Sequence, residues 1–303
     1  MSAAITTEGL TKQYRGGVMA LDGLDLEVEA GEAFGFIGPN GAGKTTAIRL
    51  LMGMLRPTSG RGQVMGFDCR SEGIDVRRRV GYLPGDLRLD QRLTARQSLT
   101  WFARLRGERD MARAWELAER FDLPLDRPAR ELSKGNRQKV GLVQAFQHRP
   151  PVVILDEPTS GLDPILQQRF QELVIEMRDA GGTLFISSHV LSELEQTADR
   201  VAMLREGRLL AVENVEELRG AAPHHMTIRF AAPVPADLFD GIGCVVSAEM
   251  DGATARLLVT APMGEAVSAA ARYEIVDLHS TEPDLEELFL GMYGAAEDGG
   301  RDG

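Results

Sequence analysis

Apolar and polar residues change rhythm several times along this chain. LDLEV, residues 24–28, alternates with period two, as a half-buried strand requires, and EAFGFIG at 32–38 reads as a strand buried on both faces. A helix is expected through Thr45 to Leu55. Strand followed by helix is the rhythm of an α/β fold. From Leu93 to Phe121 the pattern changes. Leu99, Phe102 and Leu105 recur at helical spacing, as do Met111, Ala114, Leu117, Ala118 and Phe121, with no strand between them. This reads as a helical insert, placed at about 86–150. After it come the strand VVILD, a helix carrying Leu166, Phe170, Leu173, Val174 and Met177, the strand TLFIS, and a short pair around VAML and RLLAV.

A first domain is therefore expected over 1–219. GAAPHH, 220–225, mixes small residues with a proline and two histidines and reads as a linker. MTIRF, CVVSA, ARLLV and YEIVDL are strand candidates of a second, α+β unit over 220–293, with a helix from Met263 to Arg272. PDLEELFLGMY reads as a closing amphipathic helix with proline at its start. Residues 294–303 are expected to form a disordered tail.

Composition narrows the function classes. A length of 303 residues suggests about two domains, and 43% hydrophobic residues is ordinary for a chain with a real core. The net charge of -11 argues against a broad nucleic-acid-binding surface. Cys69 and Cys244 lie far apart and fit neither a disulfide framework nor a metal cluster, which points to a reducing, cytoplasmic setting. His224 and His225 have no third partner with which to hold a metal. The N-terminus lacks a basic start followed by an apolar core, and no stretch of about 18 apolar residues runs without a charge.

The candidate chemistry begins at GPNGAGKT. Gly38, Pro39, Asn40, Gly41, Ala42, Gly43, Lys44 and Thr45, followed by Thr46, link a strand to a helix, which is the setting of a phosphate-binding loop. Glycines let backbone N–H groups face phosphate oxygens, and the helix N-terminus adds about half a positive charge. Lys44 can neutralise the outer phosphates and the Thr45 hydroxyl can enter a Mg²⁺ shell. VVILDEP, 152–158, ends an apolar run in two carboxylates, an expensive ending unless they have work there. In a phosphate-loop fold Asp156 reaches the Mg²⁺ shell and Glu157 polarises an attacking water.

With LSKGNRQKV at 132–140, SGLDP at 160–164 and ISSHV at 186–190, in order and at the expected spacing, residues 4–218 resemble the ATP-binding subunits of ABC transporters. The resemblance implies a P-loop NTPase of ABC type that binds ATP and Mg²⁺ in a head-to-tail dimer. It also implies that Ser133 and Gly135 meet the γ-phosphate in trans, His189 contacts it in cis, Asp163 links the two sites, and Tyr14 stacks on adenine. The C-terminal unit looks like the accessory domain of bacterial exporters for drugs, antibiotics and lipids. The function so implied is an ATPase that drives export through a separate integral membrane permease, from the inner face of the membrane. The rival readings are a soluble ATPase of the same fold without a membrane partner, a subunit that closes on ATP without hydrolysing it, and import in place of export.

The chain departs from the family pattern at three residues. Lys134 and Asn136 stand where the family's signature carries glycine and glutamine. Gly85, in VGYLPGDLRL, stands where a glutamine or glutamate senses magnesium and the membrane partner. Asp86, the next residue, is the candidate substitute, with a shorter reach.

Overall fold

The computed structural model describes residues 3–221 and 223–281, and the chain divides into two compact units at Glu213/Asn214. The sequence reading set that division after residue 219, and α7 accounts for the difference because it groups with the second unit. In chain order the first unit contains β1 (Ala3–Gln13), β2 (Met19–Glu29), β3 (Ala33–Ile37), α1 (Lys44–Leu51), β4 (Ser59–Val64), β5 (Phe67–Asp68), α2 (Gly73–Arg79) and β6 (Val80–Leu83). It continues with α3 (Ala95–Leu105), α4 (Ala112–Arg120), α5 (Lys134–Phe146), β7 (Val152–Asp156), α6 (Pro164–Asp179), β8 (Thr183–Ser188), β9 (Arg200–Arg205) and β10 (Arg208–Asn214). The second contains α7 (Val215–Ala221), β11 (His224–Phe230), β12 (Val245–Asp251), β13 (Thr254–Val259), α8 (Gly264–Ala270) and β14 (Ile275–Thr281).

Two sheets build the first unit. One runs β2-β1-β4-β5, and the other runs β10-β9-β3-β8-β7-β6, with β3, β6, β7, β8 and β9 parallel. Every residue of β3, β7 and β8 is buried, which explains their unbroken apolar runs. Phe185 packs its ring 5.9 Å from Phe34 and 5.1 Å from Phe36, so that β3 and β8 are locked where the phosphate loop leaves the sheet. Helix α1 stops at Leu51 rather than Leu55. Gly53 (φ 62°) turns the chain, and a Cβ there would lie 2.5 Å from the Cys69 carbonyl oxygen.

The N-terminal strand β1 was not visible as a pattern. Its pairing with β2 shifts register between Thr7 and Leu10, around Gly9, so its apolar residues lose period two. The helical insert contains α3 and α4 as expected. Thr94 and Gln97 close a capping box on α3, which fixes where that helix begins.

In the second unit an antiparallel sheet, β12-β13-β11-β14, packs Met226, Ile228, Phe230, Leu257 and Val259 against α8. The segment 220–225, read as a linker, is largely structured, since α7 runs to Ala221 and β11 starts at His224. The reason is alternation: His225 faces outward while Met226 and Ile228 turn inward, so the two histidines continue a strand. The closing helix expected at 283–293 and the tail at 294–303 lie outside the described residues.

Arg106 closes α3 with a largely buried guanidinium that donates to the carbonyls of Arg77 (3.0 Å) and Val80 (3.0 Å). Beside it burial, and then the Arg106 charge, push the His148 imidazole down to about 4, against an opposite pull from the Val80 and Gln144 carbonyls. The unfolded chain therefore takes up a proton near pH 6.5 that the folded chain refuses until about pH 4. Stability contributed by neutral His148 should be present above pH 6.5 and be lost as pH falls toward 4, by on the order of 3 kcal/mol. Urea melts across that range check this, and His148→Gln should flatten the slope.

Candidate functional site

The first unit brings the predicted residues together at one end of its parallel strands. Strand β3 ends at Ile37, the chain turns through Gly38–Gly43, and α1 opens at Lys44. The turn must be glycine at its close approaches. A Cβ at Gly38 would stand 2.2 Å from the Leu204 carbonyl oxygen, and one at Gly43 (φ 111°) 2.3 Å from that of Ala20. Pro39 to Thr46, with Ala20 and Glu157, line a cleft of about 220 Å³. A larger groove of about 560 Å³, between Arg113 on α4, Phe146 on α5 and Met177 on α6, holds none of the predicted site residues. Tyr14 lies above the loop, with its hydroxyl 3.3 Å from Thr46 Oγ1.

Lys44 is 6% exposed, donates to the carbonyls of Gly38 and Pro39, and lies 3.3 Å from Glu157 Oε1. The other oxygen of Glu157 is 2.6 Å from His189 Nδ1. Glu157 itself has φ 52°, a left-handed conformation that costs a non-glycine residue roughly 1–2 kcal/mol. Its neighbours hold it there. The Glu157 N–H donates to the Ser187 carbonyl and hydroxyl, each at 3.2 Å, and Gln138 Nε2 donates to the Glu157 carbonyl (3.1 Å) and the Pro158 carbonyl (3.0 Å).

Asp156 precedes it with 1% exposure. Its Oδ1 accepts from Ser187 Oγ at 2.8 Å, while its Oδ2 is buried and has no hydrogen-bond partner. Nearby, burial and then the Asp156 charge push the Tyr82 phenol up to about 12, so it stays neutral at physiological pH. A free, buried carboxylate oxygen beside a glycine-rich anion cradle is the donor set that a nucleotide with a divalent cation requires. Among the described residues no cluster of three or more His, Cys, Asp and Glu could hold a metal by itself. A cation here would share its ligands with phosphate.

The remaining predicted residues sit apart from this cleft's lining. Ser133 caps α5, accepting from the Asn136 N–H at 3.1 Å, and Asp163 caps α6, accepting from the Leu166 N–H at 3.0 Å. Gly135 is packed against the turn before α6, since a Cβ there would lie 2.6 Å from the Gly161 carbonyl oxygen. Lys134 Nζ donates to Ser160 Oγ at 3.0 Å. Asp86, the candidate substitute for a missing sensor, turns away: its carboxylate is 70% exposed and 3.0 Å from Arg88. Gly85 is the residue that faces Asp156. Sequence reasoning missed Gln138 and Ser187, although both stand inside motifs it had singled out.

The fold and the cleft define a phosphate-loop nucleoside triphosphatase. Residues 21–160 match the ABC transporter family. The chain is 37% identical over 311 residues to the daunorubicin resistance ATP-binding protein DrrA3 of Streptomyces coeruleorubidus, covering 96% of both chains. It is 38% identical over 213 residues to the bacitracin transport ATP-binding protein BcrA of Bacillus licheniformis, covering 69% of each. A solved structure of the ATP-binding subunit of an ABC transporter superposes on 71% of this chain and 92% of its own, with TM-score 0.66 and 30% identity. The chain belongs to the ATP-binding subunits of ABC transporters, and like them it is an ATPase that binds ATP and Mg²⁺.

Ser187 serves both Asp156 and Glu157, so its removal tests the frame of the site. Ser187→Ala leaves Asp156 Oδ1 without its donor and should cost about 1–3 kcal/mol of stability, read from denaturant melts.

Proposed function

We propose that this chain hydrolyses ATP in a head-to-tail dimer and thereby powers export through a separate membrane permease. The observation that carries the catalytic part is the contact set of Glu157, 3.3 Å from Lys44 and 2.6 Å from His189 at the mouth of the phosphate loop. Backbone N–H groups of residues 38–45 and the N-terminal end of α1 bind the phosphates, and Lys44 adds the mobile charge. Thr45 and Asp156 would hold Mg²⁺, which when bound would supply charge neutralisation on the phosphates. Glu157 orients a water and accepts its proton, and His189 contacts the terminal phosphate while fixing the Glu157 carboxylate. Tyr14 offers its ring to the base.

Ser133 and Gly135 face the second copy's nucleotide in this reading, and Asp163 joins the two sites. The N-terminal end of α5 supports such a role, because the positive end of a helix dipole favours an anion. Export is supported by the relatives, whose names speak of daunorubicin resistance and bacitracin transport. No helix among the described residues is long and apolar enough to cross a membrane. Trp101 and Leu105 on α3, 52% and 66% exposed, support docking of the permease on the helical insert. The subunit then works peripherally, on the inner face of the membrane. The unit after residue 219 serves as an accessory domain.

Glu157→Gln keeps the size of the side chain and loses the charge that orients water. It should bind ATP as the parent does, hydrolyse it roughly 100- to 10,000-fold more slowly, and shift to a dimer with ATP in gel filtration. Parental turnover in this variant would refute Glu157 as the base. Lys44→Ala should weaken ATP binding by about 10- to 100-fold in a nucleotide titration, having lost its charge-assisted bonds. Trp101→Asp should retain ATPase activity in the isolated subunit and lose co-purification with the permease.

A further inference from the structure

Tyr14 stands in a well-bonded turn just after β1. Its N–H donates to the Val18 carbonyl at 2.9 Å and its carbonyl accepts from the Gly17 N–H at 3.1 Å, while Gln13 Nε2 donates to the Gly17 carbonyl at 3.1 Å. Gly16 (φ 102°) and Gly17 (φ 87°) supply the left-handed backbone that this turn needs. The turn fixes the Tyr14 backbone, and the ring is held separately. Its hydroxyl meets Thr46 Oγ1 beside the phosphate loop, and Lys12 Nζ lies over the ring, 5.5 Å from the centroid. Lys12 is not a loose surface cation: its Nζ donates to the Arg56 carbonyl at 2.6 Å, on the segment between α1 and β4. A tethered ammonium over an aromatic face is attracted by the ring's electrons and favours one ring orientation. Tyr14 is 38% exposed, so with Lys12 over one face the ring still offers surface to a second flat group.

We propose that Lys12 is a positioning residue for Tyr14: anchored on the Arg56 carbonyl, it holds the phenol ring from one face so that the opposite face takes the nucleotide base. Lys12 itself touches neither the base nor the phosphates in this arrangement. It acts on the base end of the ligand alone, which separates its effect from that of Lys44 in the phosphate cleft. The inference rests on the proposed reading of Tyr14 as the platform for the base and adds what sets that platform in place.

The test uses the full chain and isothermal titration with a non-hydrolysable ATP analogue and, as a probe without a base, inorganic tripolyphosphate, both with Mg²⁺. Lys12→Met keeps the apolar stem and loses the charge. It should bind the analogue roughly two- to fivefold more weakly, the worth of an exposed cation–π contact, and bind tripolyphosphate as the parent does. Lys12→Arg, which also donates and stacks on rings, should restore the parental affinity for the analogue. Tyr14→Ala should weaken binding of the analogue by roughly tenfold through lost stacking, and adding Lys12→Met to it should change nothing further. Parental affinity of Lys12→Met for the analogue, beside a weakened Tyr14→Ala, would overturn the inference, as would an equal loss for tripolyphosphate or a full further loss in the double variant. Lys12→Gln takes the place of Lys12→Met should the latter fail to fold. A Tyr14→Ala chain that binds the analogue as tightly as the parent would overturn the platform reading itself, which separates the two failures.

Discussion

A single desolvated carboxylate organises the nucleotide cleft. Asp156 ends a fully buried strand with 1% exposure, and an ion so placed is tolerated only if both of its oxygens are answered. Ser187 answers one of them from the neighbouring strand β8. The other has no hydrogen-bond partner within the protein, so the polar interior at this end of the sheet is incomplete by itself. The same serine also receives the Glu157 N–H, so the two neighbouring acidic residues share one anchor. Register between β7 and β8 sets Asp156 against Ser187, so the placement of both acidic residues depends on it.

The α-helical insert buries Leu99, Leu117 and Phe121, and arginines add a polar tie to the neighbouring helix. Arg120 donates to Glu176 at 2.7 and 2.8 Å and to Glu172 at 3.3 Å, and Arg169 bonds the Arg120 carbonyl and the Asp122 carboxylate. Taken singly, such exposed pairs are worth under about 1 kcal/mol. As a network they fix α4 on α6, the helix that Asp163 caps, and Lys139 of α5 adds a bond to the Asp122 carbonyl at 3.3 Å. Movement of the insert would thus be felt along the middle and end of α6. Gln138, holding the Glu157 and Pro158 carbonyls from α5, makes a second such link, from the helix that the LSKGN segment opens to the backbone at Glu157.

The second unit contrasts with the first. Its sheet is apolar on the face against α8 and polar on the other, where Arg229 with Asp277 and Arg256 with Glu249 form loose pairs at 3.9 and 3.8 Å. That division follows from strict period-two alternation in β11 and β13, which is why its strands were legible at once. In the first unit, β1 escaped notice because a register shift around Gly9 breaks the alternation, and the helix after the phosphate loop was read too long because Gly53 looked like any glycine within a helix.

The sequence by itself determined the phosphate loop, the apolar strand that runs out into Asp156 and Glu157, and the helical insert. All of these are carried by residue type at fixed local spacing. It also showed that Gly85 breaks a family pattern, and it nominated Asp86 to fill the gap. Only the tertiary structure sets Asp86 beside Arg88 and the bare Cα of Gly85 against the free oxygen of Asp156. It likewise decided that Glu157 takes a left-handed backbone, held by Ser187 and Gln138. The physical reason is the same in both cases: which atoms a buried charge meets depends on how segments distant in the chain pack together, and spacing along one segment carries no record of that approach.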